Sequence, residues 1–67
     1  MEKFAERLKE LREQKGLSIQ QLSKEIKLSS SSLSRWENKQ VSVKINEIII
    51  IAKYFGVTTD YLLGLED

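Results

Sequence analysis

The 67-residue sequence contains no cysteine, no histidine and no proline. Without cysteine it has no disulfide or thiolate metal site, and without histidine it lacks the usual metal ligand, general base and pH-sensitive side chain. Its longest apolar run, residues 48–52, is far too short to cross a bilayer, and its start has no signal-peptide pattern. These absences predict a soluble cytoplasmic protein, not an enzyme, with no metal, cofactor, small-molecule ligand or membrane partner.

The formal net charge is only +1, but the charges are unevenly distributed along the chain. Residues 14–46 carry six basic side chains against two acidic ones, whereas residues 47–67 carry one basic side chain against four acidic ones. A local basic surface attracts phosphates even when the whole molecule is close to neutral. The central segment is therefore a candidate nucleic-acid surface, and the alternative is an ordinary solvated surface of mixed charge.

Helical periodicity extends over the whole chain, and no strand-like alternation competes with it. The pattern predicts one all-α domain over residues 1–67, a compact five-helix bundle. The first helix is predicted from about Glu2 to Lys15 and ends at Gly16. The other four are predicted to begin after Ser18, Ser29, Ser42 and Thr58.

Two serines have the positions of helix N-caps. Ser18 and Gln21 have the spacing of a capping box, and Ser29 precedes the third helix. In the fourth helix, which Gly56 ends, one stripe of apolar residues is predicted to be buried: Ile45, Ile48, Ile49, Ala52 and Phe55.

The fourth helix is more apolar than a small core requires. Ile50 is predicted to lie off the buried stripe, with Tyr54 one turn further along the same outer face. An exposed isoleucine beside a tyrosine suggests a contact surface, which we predict to be a dimer surface formed by Ile50, Tyr54, Tyr61 and Leu65. The alternative is that Ile50 is simply tolerated in solvent.

Several short segments, spaced over five helices, resemble the Cro/C1-type helix-turn-helix family, also called the XRE family, of phage and bacterial repressors. They include Gly16-Leu17-Ser18, Leu28-Ser29, Leu33-Ser34-Arg35-Trp36-Glu37-Asn38, Gly56-Val57 and Asp60-Tyr61-Leu62-Leu63-Gly64. The resemblance implies a lambda-repressor-like fold whose helix-turn-helix unit spans about residues 18–38, in helices two and three. It also implies a sequence-specific transcriptional regulator, a repressor that binds operator DNA. One such module contacts only a short half-site, so we predict a homodimer on a palindromic operator.

By this resemblance, the base-facing positions of the third helix are Ser30, Ser31, Ser34 and Arg35. Arginine pairs with guanine O6 and N7 through two hydrogen bonds, which is the commonest specific contact, whereas serine hydroxyls discriminate poorly alone. For Ser30 and Ser31 the alternative is plain N-capping or a polar loop.

The resemblance also implies phosphate contacts at both ends of the unit. Those positions hold Ser18 before the second helix, and Asn38, Lys39 and Gln40 after the third. The first residue of the second helix is usually glutamine in the family, but here it is Ile19. We therefore predict that Gln20, the next residue, makes this phosphate contact instead.

Arg12 and Glu37 match two residues that commonly pair inside proteins of this family. We predict that they tie the first helix to the end of the third, and the alternative is that Arg12 contacts phosphate. Trp36 is predicted to pack in the core, one turn after Leu33. Where the family often has a glycine between the two helices, this chain has Lys27, which predicts a strained left-handed residue.

Two alternative functions fit the same pattern. The chain could be an antitoxin-like or antirepressor-like protein-interaction module that keeps the fold without reading DNA. It could also be the DNA-binding head of a longer regulator.

Overall fold

The computed structural model describes residues 2–39 and 42–67 and contains five α-helices. They are α1 (Glu2–Gln14), α2 (Ile19–Ile26), α3 (Ser30–Glu37), α4 (Ile45–Phe55) and α5 (Thr59–Leu63). No strand occurs within the described residues, so the prediction of an all-α five-helix domain is confirmed. None of the helices in those residues is long and apolar enough to span a bilayer.

Local capping determines where α1 ends and where α2 and α3 begin. Ser18 Oγ accepts a hydrogen bond from the Gln21 backbone N–H at 3.1 Å, and the Ser18 N–H donates to Gln21 Oε1 at 2.8 Å. Ser29 Oγ accepts from the Ser32 N–H at 3.0 Å. Gly16 follows α1 in a left-handed conformation, with φ of 70°. The predicted capping box, the Ser29 cap and the stop at Gly16 are confirmed, and α1 ends one residue before Lys15.

The predicted start of α4 after Ser42 is wrong. The helix begins at Ile45, and its N-cap is Lys44, whose backbone N–H donates to Glu47 Oε1 at 2.9 Å. Only from Lys44 does a glutamate lie three residues ahead, where a carboxylate can accept from the cap N–H. The same position counted from Ser42 is Ile45, whose side chain cannot accept a hydrogen bond.

The predicted buried stripe of α4 is also partly wrong. Ile48 and Ala52 are buried, but Ile45 is 76% exposed and Ile49 is 40% exposed, while Ile51 is completely buried. Ile48, Ile51, Ala52 and Phe55 are spaced by three and four residues, so they form an equally good stripe. The helix is therefore rotated toward Ile51, and Ile45 and Ile49 lie along the edge of the buried face.

The core fixes the position of α3. Its Leu33 is completely buried and its Trp36 is 2% exposed, in a cluster with α1, α2, α4 and α5. The Trp36 ring meets Phe4 of α1 edge to face, with ring centroids 6.1 Å apart. One face of α3 is thus committed to packing, and its opposite face is left at the surface.

Candidate nucleic-acid interface

A short turn sets α3 against α2. Lys27 ends α2 in a left-handed conformation with φ of 59°, which costs a residue with a side chain about 1 kcal/mol relative to glycine. Ser23 Oγ donates a hydrogen bond to the Leu28 carbonyl within the turn. Ser29 then caps α3. These local contacts bring the first turn of α2 beside the outer face of α3.

The first turn of α2 and the outer face of α3 together line one open surface concavity, formed by Ile19, Gln20, Ser30, Ser31, Ser34 and Arg35. Five of these six residues are ones that the sequence placed among the DNA contacts. The remaining residue, Ile19, was noted only as a departure from the family pattern. We refer to these six residues as the α2–α3 concavity.

Arg35 is exposed, and its guanidinium contacts the preceding turn of α3. Arg35 Nη2 donates to Ser32 Oγ at 3.3 Å, and the same Ser32 oxygen lies 3.1 Å from Ser29 Oγ. Ser32 was not predicted as a site residue. Its position three residues before Arg35, on the same helix face, permits this contact but does not select it among the contacts open to a long side chain.

The predicted phosphate contacts lie at the two ends of the unit. The Ser18 hydroxyl caps α2, and Asn38 Nδ2 donates to the Ser34 carbonyl at 2.9 Å, which closes the end of α3. Lys39 Nζ is 3.9 Å from Glu2 Oε1, and both side chains are largely exposed. An exposed pair at this distance contributes at most about 1 kcal/mol, so Lys39 stays accessible to another anion. Gln40 lies outside the described residues.

Arg12 and Glu37 form a two-point ion pair. Arg12 Nε and Nη2 donate to the two Glu37 carboxylate oxygens at 2.7 and 3.0 Å, and Arg12 Nη1 donates to the Leu17 carbonyl at 2.6 Å. The two side chains are only 12% and 6% exposed. Hydrogen bonding to Glu37 raises the pKa of Arg12 above its ordinary value, against the opposing effect of burial. The guanidinium is thus directed into the protein, which favours the structural role over phosphate contact.

A helix-turn-helix family model matches residues 8–62, which is most of the chain. The chain belongs to the Cro/C1-type helix-turn-helix family. The resemblance inferred from the sequence is therefore confirmed, and proteins of this family are DNA-binding transcriptional regulators rather than enzymes. Within the described residues, no group of three or more aspartate and glutamate side chains comes together as a metal site.

Two curated relatives match over 64 residues, or 96% of this chain. The chain is 31% identical to the uncharacterized HTH-type transcriptional regulator YobD of Bacillus subtilis (strain 168) and covers 57% of that protein. It is 34% identical to the HTH-type transcriptional activator BcrR of Enterococcus faecalis and covers 31% of it. The chain thus spans about half and about a third of these relatives. No solved structure matches it significantly.

The ion pair leads to a stability prediction. Replacing Glu37 by glutamine leaves the Arg12 charge largely buried without its carboxylate, so Glu37→Gln is expected to lower the free energy of unfolding by roughly 3–5 kcal/mol. Urea unfolding followed by the fluorescence of the buried Trp36 measures the change.

The matched control is Glu2→Gln, which makes the same chemical change in the exposed pair with Lys39. It is expected to change the free energy of unfolding by less than about 1 kcal/mol. Equal effects of the two substitutions would show that the Arg12–Glu37 pair does not hold α3 in place.

Proposed function

We propose that this chain reads DNA sequence with the α2–α3 concavity, as the DNA-binding unit of a cytoplasmic transcriptional regulator. The concavity supports this proposal, because one continuous surface combines the start of α2 with the outer face of α3. An α-helix fits the major groove, and in helix-turn-helix proteins the second helix of the unit reads base edges there. Here that helix is α3.

Each group on the outer face of α3 has a chemical role in this proposal. Arg35 pairs with guanine O6 and N7, while the shorter Ser30, Ser31 and Ser34 let the helix approach the base edges closely and exchange hydrogen bonds with them. Specificity then rests mainly on Arg35, with contributions from DNA shape and bridging water.

Phosphate contacts hold the unit in register. Lys39 supplies a positive charge at the end of α3, and Asn38 supplies an amide N–H beside it. Gln20 and Ser18 lie at the start of α2, where backbone N–H groups and the positive end of the helix dipole also favour phosphate. Gln40, which follows Lys39 in the chain, is proposed as a further phosphate contact.

We further propose that the unit acts as a homodimer on a palindromic operator and represses transcription. A single eight-residue helix covers only a short half-site, and a two-fold protein matches a two-fold DNA sequence. Repression by occlusion requires only tight binding, whereas activation requires an additional surface for the transcription machinery.

Exposed apolar side chains outside the concavity support a dimer surface. Ile50 is 37% exposed and Leu65 is 72% exposed. Tyr54 and Tyr61 are half-buried, and each is already in contact within the chain. Tyr54 donates to Glu25 Oε1 at 3.3 Å, and the Arg7 guanidinium lies 4.2 Å from the centre of the Tyr61 ring. Both tyrosines are thus already engaged within the chain, so Ile50 and Leu65 supply most of the exposed apolar area among these four residues.

The role of Arg35 is tested on the duplex that wild-type protein selects from a random DNA pool. Arg35→Ala should lose about 1–3 kcal/mol of discrimination at one base pair. Arg35→Lys, which keeps the charge but not the two-point hydrogen bond, should lose most of the same discrimination. Fluorescence anisotropy on the selected duplex and its single-base variants measures both effects.

Lys53→Ala is the charge-matched control, because it removes one positive charge from an exposed residue of α4 outside the concavity. It should leave the base preference unchanged. Specific binding that is indifferent to Arg35 would contradict the assigned readout. Absence of DNA binding by wild-type protein at low salt would contradict DNA binding altogether and favour a protein-interaction module.

The dimer surface has its own test. Ile50→Glu should shift sedimentation equilibrium at high protein concentration from dimer to monomer, because it places a charge in an apolar contact. Ser42→Glu adds the same charge in an exposed loop and should leave the dimer intact. The same monomer mass for wild type and Ile50→Glu would show that this surface does not form the dimer.

A further inference from the structure

The α2–α3 concavity contains one side chain whose chemistry the proposed readout does not use. Five of its six residues, those other than Ile19, end in hydroxyl, amide or guanidinium groups. Ile19 ends only in methyl and methylene groups. It is half-buried, because part of the side chain packs against the core while the rest lines the concavity.

The position of Ile19 is well fixed. It is the first residue of α2 and lies inside the Ser18–Gln21 capping box, which orders the backbone there. Its β-branched side chain has one strongly preferred rotamer in a helix, and contact with the core restrains it further. An apolar group held in this way loses little conformational entropy when a ligand covers it.

The chemistry of DNA restricts what this apolar surface can meet. Among the groups that base pairs present in the major groove, the C5-methyl group of thymine is the one large apolar group, and most of the others donate or accept hydrogen bonds. The neighbouring Ser30, Ser31 and Ser34 are short, so space remains beside Ile19. We infer that Ile19 recognises the C5-methyl group of a thymine in each half-site. This inference rests on the proposed DNA binding of the α2–α3 concavity.

The test removes the methyl group from the DNA. In the duplex selected by wild-type protein, each thymidine is replaced in turn by deoxyuridine, which keeps base pairing and lacks only the C5-methyl group. At one position per half-site, this replacement should weaken wild-type binding about fourfold, the effect of losing one buried methyl-sized group. Fluorescence anisotropy measures the dissociation constants, and the protein is unchanged throughout this series.

Protein variants then assign the effect to Ile19. Ile19→Ala should bind the thymidine and deoxyuridine duplexes equally well, and Ile19→Val should retain part of the difference. Gln20→Ala is the matched control in the same concavity, and it should weaken both duplexes alike while keeping the fourfold difference. Thermal unfolding shows that each variant is folded at the temperature of the binding measurement.

Two results would overturn the inference while leaving sequence-specific binding in place. One is that no deoxyuridine substitution affects wild-type binding. The other is that the sensitive position is equally sensitive in Ile19→Ala, which would assign the methyl contact to another residue. Failure of the wild-type protein to prefer any DNA sequence would instead overturn the proposed function, and this inference with it.

Discussion

The ion pair between Arg12 and Glu37 is the constraint on which the geometry of this domain depends. It joins α1 to the last residue of α3. Arg12 also donates a hydrogen bond to the Leu17 carbonyl, which holds the loop that leads into α2. An isolated eight-residue helix is unstable in water, so α3 depends on tertiary contacts for its existence and for its direction. The ion pair fixes one end of α3, and the burial of Leu33 and Trp36 fixes its inner face.

In the proposed function, this arrangement separates stability from recognition within a single short helix. The residues that hold α3 in place are directed toward the core or toward Arg12, while its other face presents small polar groups and Arg35. The exposed face of α3 is therefore free of the contacts that hold the helix in place. The start of α2 extends this exposed surface, because the turn at Lys27 places Ile19 and Gln20 next to α3.

Much of the fold could be predicted because local chemistry determines it. The Ser18 capping box and the Ser29 cap provide hydrogen bonds for the first backbone N–H groups of α2 and α3, and Gly16 ends α1. Each acts within a few residues, so the sequence alone identifies them. The start of α4 was missed because serine is the commoner N-cap residue type, whereas the deciding local signal is Glu47, three residues after Lys44, which accepts the cap N–H. Residues 48–51 are all isoleucine, so several stripes fit equally well and only packing against the other helices selects Ile51.

Part of the candidate site could likewise be predicted from the sequence. The positions of Ser30, Ser31, Ser34 and Arg35 on one face follow from helical periodicity and the family pattern. The presence of Ile19 in the same concavity depends on how α2 and α3 pack against each other, which the periodicity of neither helix encodes by itself. The contact from Arg35 to Ser32 is one of several that a long side chain could make, so spacing alone could not select it.

Mapping the DNA contact on the protein by NMR tests directly whether α2 and α3 form the DNA-binding surface. Backbone amide shifts would be recorded while the selected duplex is titrated into labelled protein. The largest changes are expected at the start of α2 and along α3, continuing to Asn38 and Lys39. Large changes confined to α4 and α5, with the amides of α3 unaffected, would contradict that expectation.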